Sequence, residues 1–326
     1  MRNKQPKQNK RKMRYGMLIL FIVYNLVLAV ALAPLTLFYG PFDGLKSVAV
    51  ASVLTSRHPQ VVQAFLSDEK IEEITHKYER SGNGTDVVTE SVATDVEGIT
   101  IEEVKGSGWA GKVMLIDDPK WIQLAVTSKL GVTGERVSTL VQANGAIAGI
   151  NGGGFDDPDG GRGNGKYPQG IAVHKGKIVH NSMGSEATDM VAFDRDGQMV
   201  IGIMTAAEVI KNNIWEGTSF YPPLIKDGKR TNFVDGEWGI APRTAIGQAV
   251  DGTIIFVVVD GRQPLHSLGA QMTDLYNIFL KYGAVNAACL DGGSSVTLVY
   301  QGKVINKPCD IMGERYVSDA FVVVPN

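Results

Sequence analysis

Residues 17 to 38, MLILFIVYNLVLAVALAPLTLF, carry no charged side chain, and the stretch before them, MRNKQPKQNKRKMR, is rich in Lys and Arg with no acid. In hydrocarbon every backbone N–H and C=O must be satisfied inside the segment, so a single run of this kind has one stable form, a helix. It is long enough to cross a bilayer. Asn25 is its one strongly polar side chain, and Pro34 stands where it would kink the outer end. A buried core helix fits badly beside so basic a flank. A cleaved signal peptide would end at small residues, and AVALA at 29–33 offers them, but the apolar run continues past that point. The reading is an uncleaved signal anchor. Basic flanks stay inside, so residues 1–16 are a basic cytoplasmic tail and 17–38 a single-pass anchor in the cell membrane. The chain from about residue 40 onward then faces outside.

Beyond that segment the composition is globular: 20% of residues are charged and the formal net charge is -2. Such a balance gives no surface built to hold nucleic acid. Residues 59–80, PQVVQAFLSDEKIEEITHKYER, show partial helical spacing, with Ser67 and Asp68 placed to break and restart the helix. Residues 81–98 are a polar, glycine-marked connector, so 39–98 reads as a helical stalk and linker, and a single domain spans 99–326. There the apolar period moves toward two. WAGKVMLIDDP and WIQLAVT read as strands, and IAVHKGKIVH, VAFDRDGQMVIGI and QAVDGTIIFVVVDG as hairpins. VSTLVQAN and QMTDLYNIFLKYG read as helices, the second with Met272, Leu275, Ile278, Phe279 and Tyr282 on one face. Many strands with a few packed helices make the domain α+β.

One internal echo bears on function. LVQANGAIAGINGG and FLKYGAVNAACLDGG each run helix, short turn, strand, then a polar residue and two glycines. The second strand is two residues longer, and two is the strand period, so Asn151 and Asp291 keep equivalent faces at strand ends. Asp291 closes an apolar run, where apolar neighbours raise a carboxyl pKa. Gly292 and Gly293 clear space beside it, and Ser294 and Ser295 offer hydroxyls to an oxyanion. The rival reading is an ordinary Asp-Gly turn. In APRTAIG, Arg243 offers a planar donor fork suited to phosphate or carboxylate, and Thr244 adds a hydroxyl. A structural Arg paired with a buried acid is its alternative. VVVDGR delivers Asp260 and Arg262 to another strand end.

The glycine-rich loop INGGGFDDPDGGRGNGKYPQG follows Asn151, with Phe155 as lid or platform. Its acids Asp156, Asp157 and Asp159 invite a calcium reading but miss the EF-hand spacing. No GxxxxGK[ST], HExxH or GxSxG is present, and the His and Cys spacings give no zinc signature. No metal site and no cofactor are expected. Cys289 and Cys309 are open to two readings, one disulfide or two buried thiols.

INGGGF, YPQG, APRTAIG, VVVDGR, QMTDLYNIFLKYGAVNAACLDGGSS and GERYVSDAFVVV occur in the order seen in the phosphodiester glycosidases, which this chain resembles over roughly residues 99–325. Where many members read NGGFF and DGGGSS, this chain has NGGGF and DGGSS, and Tyr316 stands where proline is usual. The resemblance implies hydrolysis of the C1–O bond of a sugar-1-phosphodiester on envelope or exopolysaccharide-related glycans. A phosphodiester leaving group is a weak base that needs cations more than a proton donor. Arg243 would supply that charge, helped by Arg262. Asp291 would be the sugar-facing carboxylate, with Asp260 or Glu314 as the second. Asn151 would orient a sugar hydroxyl or a phosphate oxygen. The partners implied are a phosphosugar or glycan substrate and the bilayer. Two other functions compete: a polysaccharide-binding or assembly scaffold without catalysis, and a metal-dependent phosphodiesterase acting at phosphorus.

Overall fold

The structure, a computed structural model, describes residues 7–41, 46, 49–50, 53, 60–77, 87–92, 94–157 and 163–325. The start of the basic tail (1–6), parts of the stalk and connector (42–45, 47–48, 51–52, 54–59, 78–86, 93) and Asp159 lie outside the described residues. The chain divides into two units, Met1–Tyr78 and Glu79–Asn326.

In the first unit a single helix runs Lys7–Tyr39. It extends back through the basic flank because Lys, Arg, Gln and Met are good helix formers. Its part Tyr15–Tyr39 is long and apolar enough to cross a membrane. The polar groups inside it are turned back on the helix itself: Asn25 Nδ2 donates to Phe21 O at 2.7 Å and Thr36 Oγ1 to Leu32 O at 2.8 Å. The predicted stalk helix is two helices, Gln60–Gln63 and Asp68–Lys77. Ser67 separates them by capping the second, its Oγ accepting from Lys70 N at 3.3 Å. Val62, Leu66, Ile71 and Ile74 bury against Phe38 and Val50, so within this unit the segment packs on the end of the long helix.

The second unit is strand-rich α+β. Its largest sheet has eight strands in the order Val88–Val92, Ile99–Gly106, Trp109–Ile116, Ile254–Val259, Arg243–Ala249, Ala284–Leu290, Pro223–Lys226, Lys229–Arg230. Its first strand falls inside the predicted connector, ahead of residue 99. A five-stranded sheet orders Lys303–Val304, Leu298–Tyr300, Ala148–Asn151, Asp319–Val323, Ile122–Val126. Another is built from two of the three predicted hairpins, Ile171–His174 with Lys177–Asn181 and Thr188–Asp194 with Met199–Met204, and from Ile214–Ser219. Period two sorts each strand's side chains between two cores. Ile246, Val258 and Leu290 of the large sheet meet Ile150 and Phe321 of the second and Val191 and Phe193 of the third. Ala245, Val257 and Cys289 point the other way, onto Leu275, Ile278 and Phe279 of the helix Met272–Lys281. Each fully buried Val, Leu, Ile or Phe among them stabilises by roughly 1.5–3 kcal/mol. The helix Val137–Ala143 covers the outer face of the second sheet through Val137, Leu140 and Val141.

The register decides where the charged strand ends go. Arg243 pairs with Val259, and Thr244 with Leu290. The start of one strand therefore meets the ends of its two antiparallel neighbours, and Asp260, Arg262, Arg243 and Asp291 come to one rim of the sheet.

Candidate functional site

The two echoing strand ends meet. Asn151 Nδ2 donates to the Asp291 carbonyl at 2.7 Å, and Asp291 N donates to Gly152 O at 3.0 Å. Asn151 Oδ1 accepts from Thr244 Oγ1 at 2.7 Å and from Thr297 N at 3.2 Å. Asn151 and Thr244 are fully buried. Each was expected to touch substrate; instead the protein takes up their hydrogen bonds, and both brace the strand end that carries Asp291. Asn151→Ala would orphan a carbonyl, a hydroxyl and an N–H, and is expected to destabilise the protein by about 3 kcal/mol. Chemical denaturation of the full chain in detergent reads this directly, and a loss near zero would remove the bracing role.

A second buried acid stands beside Asp291. Asp319 is fully buried, its Oδ1 accepting from Gly153 N at 2.8 Å and its Oδ2 from Thr218 Oγ1 at 2.8 Å. Burial pushes its pKa up to about 7, and the charge of Asp291 adds to the rise. The Asp291 side chain reaches the rim half-buried, and burial raises its pKa too, opposed by the Ser295 hydroxyl and the Arg315 charge. This acid explains Gly152, where a Cβ would stand 2.1 Å from Asp319 Oδ1. Gly153 is explained by the strand Ile214–Ser219, since a Cβ there would stand 2.5 Å from Ser219 O.

Three arginines converge on the loop after Asp291. Arg243 is buried, with Nε on Ala270 O at 3.2 Å and Nη2 on Trp238 O and Gly239 O at 2.5 and 2.7 Å. Its Nη1 lies toward Gly292, 3.9 Å from where a Cβ there would sit. Burial, helped by the charge of Arg262, pulls its pKa down to about 10, yet it stays cationic at neutral pH. Arg262, at φ 58°, lies at Gly293, where a Cβ would be 3.5 Å from its Nη2. Arg315 Nη1 donates to Ser294 Oγ at 3.0 Å, and its guanidinium lies 4.7 Å over the Phe155 ring, which makes Phe155 a platform for that arginine. Gly293 N is anchored to Pro242 O at 2.9 Å, which fixes the loop against the strand that bears Arg243.

The other predicted carboxylates are engaged elsewhere. Asp260 is buried, with Oδ1 accepting from Asn306 Nδ2 at 3.1 Å and Lys307 N at 2.9 Å, and Oδ2 2.8 Å from His266 Nε2. Glu314 caps the helix Val137–Ala143: its oxygens accept from Ser138 N at 2.9 Å and Ser138 Oγ at 2.6 Å. The acid brought to Asp291 is therefore Asp319, which sequence reasoning missed, and with it comes Arg315 of the closing GERYVSDAFVVV block. The signal for Asp319 was one acid set into the strand SDAFVVV. Cys289 and Cys309 are free thiols; Cys289 is buried beside Met272 Sδ at 3.4 Å, and burial pushes its pKa up to about 12. Asp157, one of the acids read for calcium, accepts from Asn164 N at 2.6 Å and Lys166 N at 3.0 Å. Among the described residues no three His, Cys, Asp or Glu side chains converge as metal ligands would.

A family model described as phosphodiester glycosidase matches residues 144–324. The N-acetylglucosamine-1-phosphodiester alpha-N-acetylglucosaminidase of Bos taurus is 35% identical over 162 residues, 43% of this chain and 30% of that protein. The SPbeta prophage-derived uncharacterized protein YomE of Bacillus subtilis is 27% identical over 274 residues, 81% of this chain and 40% of that one. The chain thus spans less than half the length of either relative. The zebrafish N-acetylglucosamine-1-phosphodiester alpha-N-acetylglucosaminidase catalytic domain, auto-inhibited by its pro-peptide, is similar with a TM-score of 0.57 at 18% identity, covering 76% of this chain and 85% of that one. A hypothetical protein from Synechocystis is similar with a TM-score of 0.57 at 16% identity, covering 74% and 68%. These two structures share the fold.

Proposed function

From the premise that this chain belongs to the phosphodiester glycosidase family, we propose that it hydrolyses the C1–O bond of a sugar-1-phosphodiester, releasing the free sugar and a phosphomonoester. One observation carries the reading: Arg243, Arg262 and Arg315 reach Gly292, Gly293 and Ser294, the residues that directly follow the half-buried Asp291. Guanidinium groups fixed in a partly desolvated rim stabilise an anion more strongly than they would in water. The phosphate sits on that loop, and C1 faces Asp291. As the C1–O bond breaks, its electron pair leaves on the phosphate oxygen, where the arginines hold the new charge. The oxygen of a water ends on C1. Asp291 either takes the proton of that water or attacks C1 first and is displaced by it. Asp319 touches no substrate; it is a positioning residue that holds Gly153 N and Thr218 Oγ1 behind Asp291, and the Asp291 charge helps to keep it protonated. We place the reaction on the outer side of the membrane, on envelope or exopolysaccharide-related glycans, from the basic flank ahead of the anchor.

The test is a product assay on the full chain with methyl-phosphoryl N-acetylglucosamine, the sugar being taken from the bovine relative's name. Free sugar and methyl phosphate are expected, and in ¹⁸O-water the label should appear in the sugar. Sugar-1-phosphate, with label in the phosphate, would mean attack at phosphorus. No product from folded protein would favour the scaffold function.

A further inference from the structure

Beside the arginine cluster lies a cavity of about 550 Å³, lined among others by Lys105, Lys112, Lys307, His266, Glu103 and Asp260. Its carboxylates are already partnered. Glu103 faces Lys112 at 2.7 Å and Lys105 at 3.7 Å, and Asp260 is held by His266 and by Asn306 and Lys307 N. Asp260 is also only 5% exposed, whereas the Lys105 side chain is 58% exposed and Lys307 is open to solvent. Three lysines against two acids leave the lining with one basic group in excess, and the exposed Lys105 and Lys307 side chains bring positive charge to its accessible surface. It is also rich in hydrogen-bonding groups.

Two chain segments connect this cavity to the reacting centre. Asp260 lines the cavity, and two residues on, Arg262 lies at Gly293. Lys307 lines it as well, and two residues on, Cys309 Sγ lies 3.6 Å from Gly293 O. Two residues span at most about 7 Å of backbone, and the Arg262 and Cys309 side chains cover the remaining step to Gly293. The other ester arm of a phosphate seated on Gly292–Ser294, with its sugar toward Asp291, would run along Arg262 toward this cavity.

We infer that the cavity is the aglycone subsite, and that it takes a hydroxyl-rich aglycone carrying a second anionic group, phosphate or carboxylate. This rests on the reading of Asp291 and the arginines as the reacting centre. The test compares the full-length wild type with Lys105→Glu/Lys307→Glu on two substrates. UDP-N-acetylglucosamine carries a second phosphate in its aglycone, and methyl-phosphoryl N-acetylglucosamine does not. Wild type is expected to favour the UDP-sugar in kcat/KM. The double variant is expected to lose that preference about tenfold or more, through KM, the size of one charge-assisted hydrogen bond. An unchanged preference ratio overturns the subsite. If wild type turns over neither substrate, the reacting centre has failed, and the cavity is then read by calorimetric binding of UDP. Binding about tenfold weaker in the variant supports the cavity, and equal binding overturns it. Lys307→Glu alone, at an exposed position, keeps the comparison open if the double variant does not fold.

Discussion

Asp291→Asn is expected to lower turnover of a sugar-1-phosphodiester by roughly a thousandfold or more while leaving the melting temperature of the protein nearly unchanged. The two outcomes separate because the residue does two jobs with different atoms. Its backbone holds the strand end, through the Asn151 amide on its carbonyl and its own N–H on Gly152 O. Its side chain stands free of that bracing, and burial works against its charge. Asparagine keeps the backbone bonds and the shape, and it removes a charge that costs folding free energy at that position. It cannot accept a proton from water or form an ester at C1. Steady-state kinetics beside a thermal melt reads both. Normal turnover in the folded variant would remove Asp291 from the chemistry, and a collapsed melt would mean that the side chain is structural.

What could be read from the text follows from the range of the interactions involved. The helix Met272–Lys281 was legible because its apolar face repeats every turn, and the hairpins because apolar runs flank short turns. The strand ends carrying Asn151, Arg243 and Asp291 were legible for the same reason, since each is a polar residue ending or opening an apolar run. Their partners were not. Glu314 looks like a rim acid until Ser138, 176 residues away, is seen to occupy both its oxygens. Asp319 looks like an ordinary strand residue until Thr218 and Gly153 close around it. Arg315 sits next to Glu314 in the chain, yet it is the arginine that reaches Ser294 while the acid turns to Ser138. Local periodicity told where charged residues leave the core. Only tertiary pairing told which of them remain available to a ligand.

Asp319→Asn is expected to change how both stability and activity depend on pH. In the unfolded chain an Asp titrates near 3.9, a reference value that burial in the native state replaces by about 7. Between about pH 4 and pH 7 the native protein therefore holds a proton that the unfolded chain has released. Stability must fall as pH rises through that window, by up to about 1.4 kcal/mol per pH unit, and level off above it. Asparagine has no such proton, so the variant should lose that slope and be the more stable form at pH 8. Its Oδ1 can still accept from Gly153 N, and the Thr218 hydroxyl can turn to accept from its Nδ2. Below about pH 7 native Asp319 is neutral, so the substitution takes no charge from beside Asp291 there, and the acid limb of kcat/KM should stay where it is. Above pH 7 the ionised Asp319 sets a like charge beside Asp291 that asparagine lacks, so an inflection of kcat/KM near pH 7 should be present in wild type and absent in the variant. A residue that only filled space would give no such inflection in either. Denaturant melts at pH 5 and pH 8, read beside the pH–rate profile, distinguish the two. Parallel stability curves in wild type and variant, or the same profile near pH 7 in both, would separate Asp319 from the reacting carboxylate and leave Asp291 to act alone.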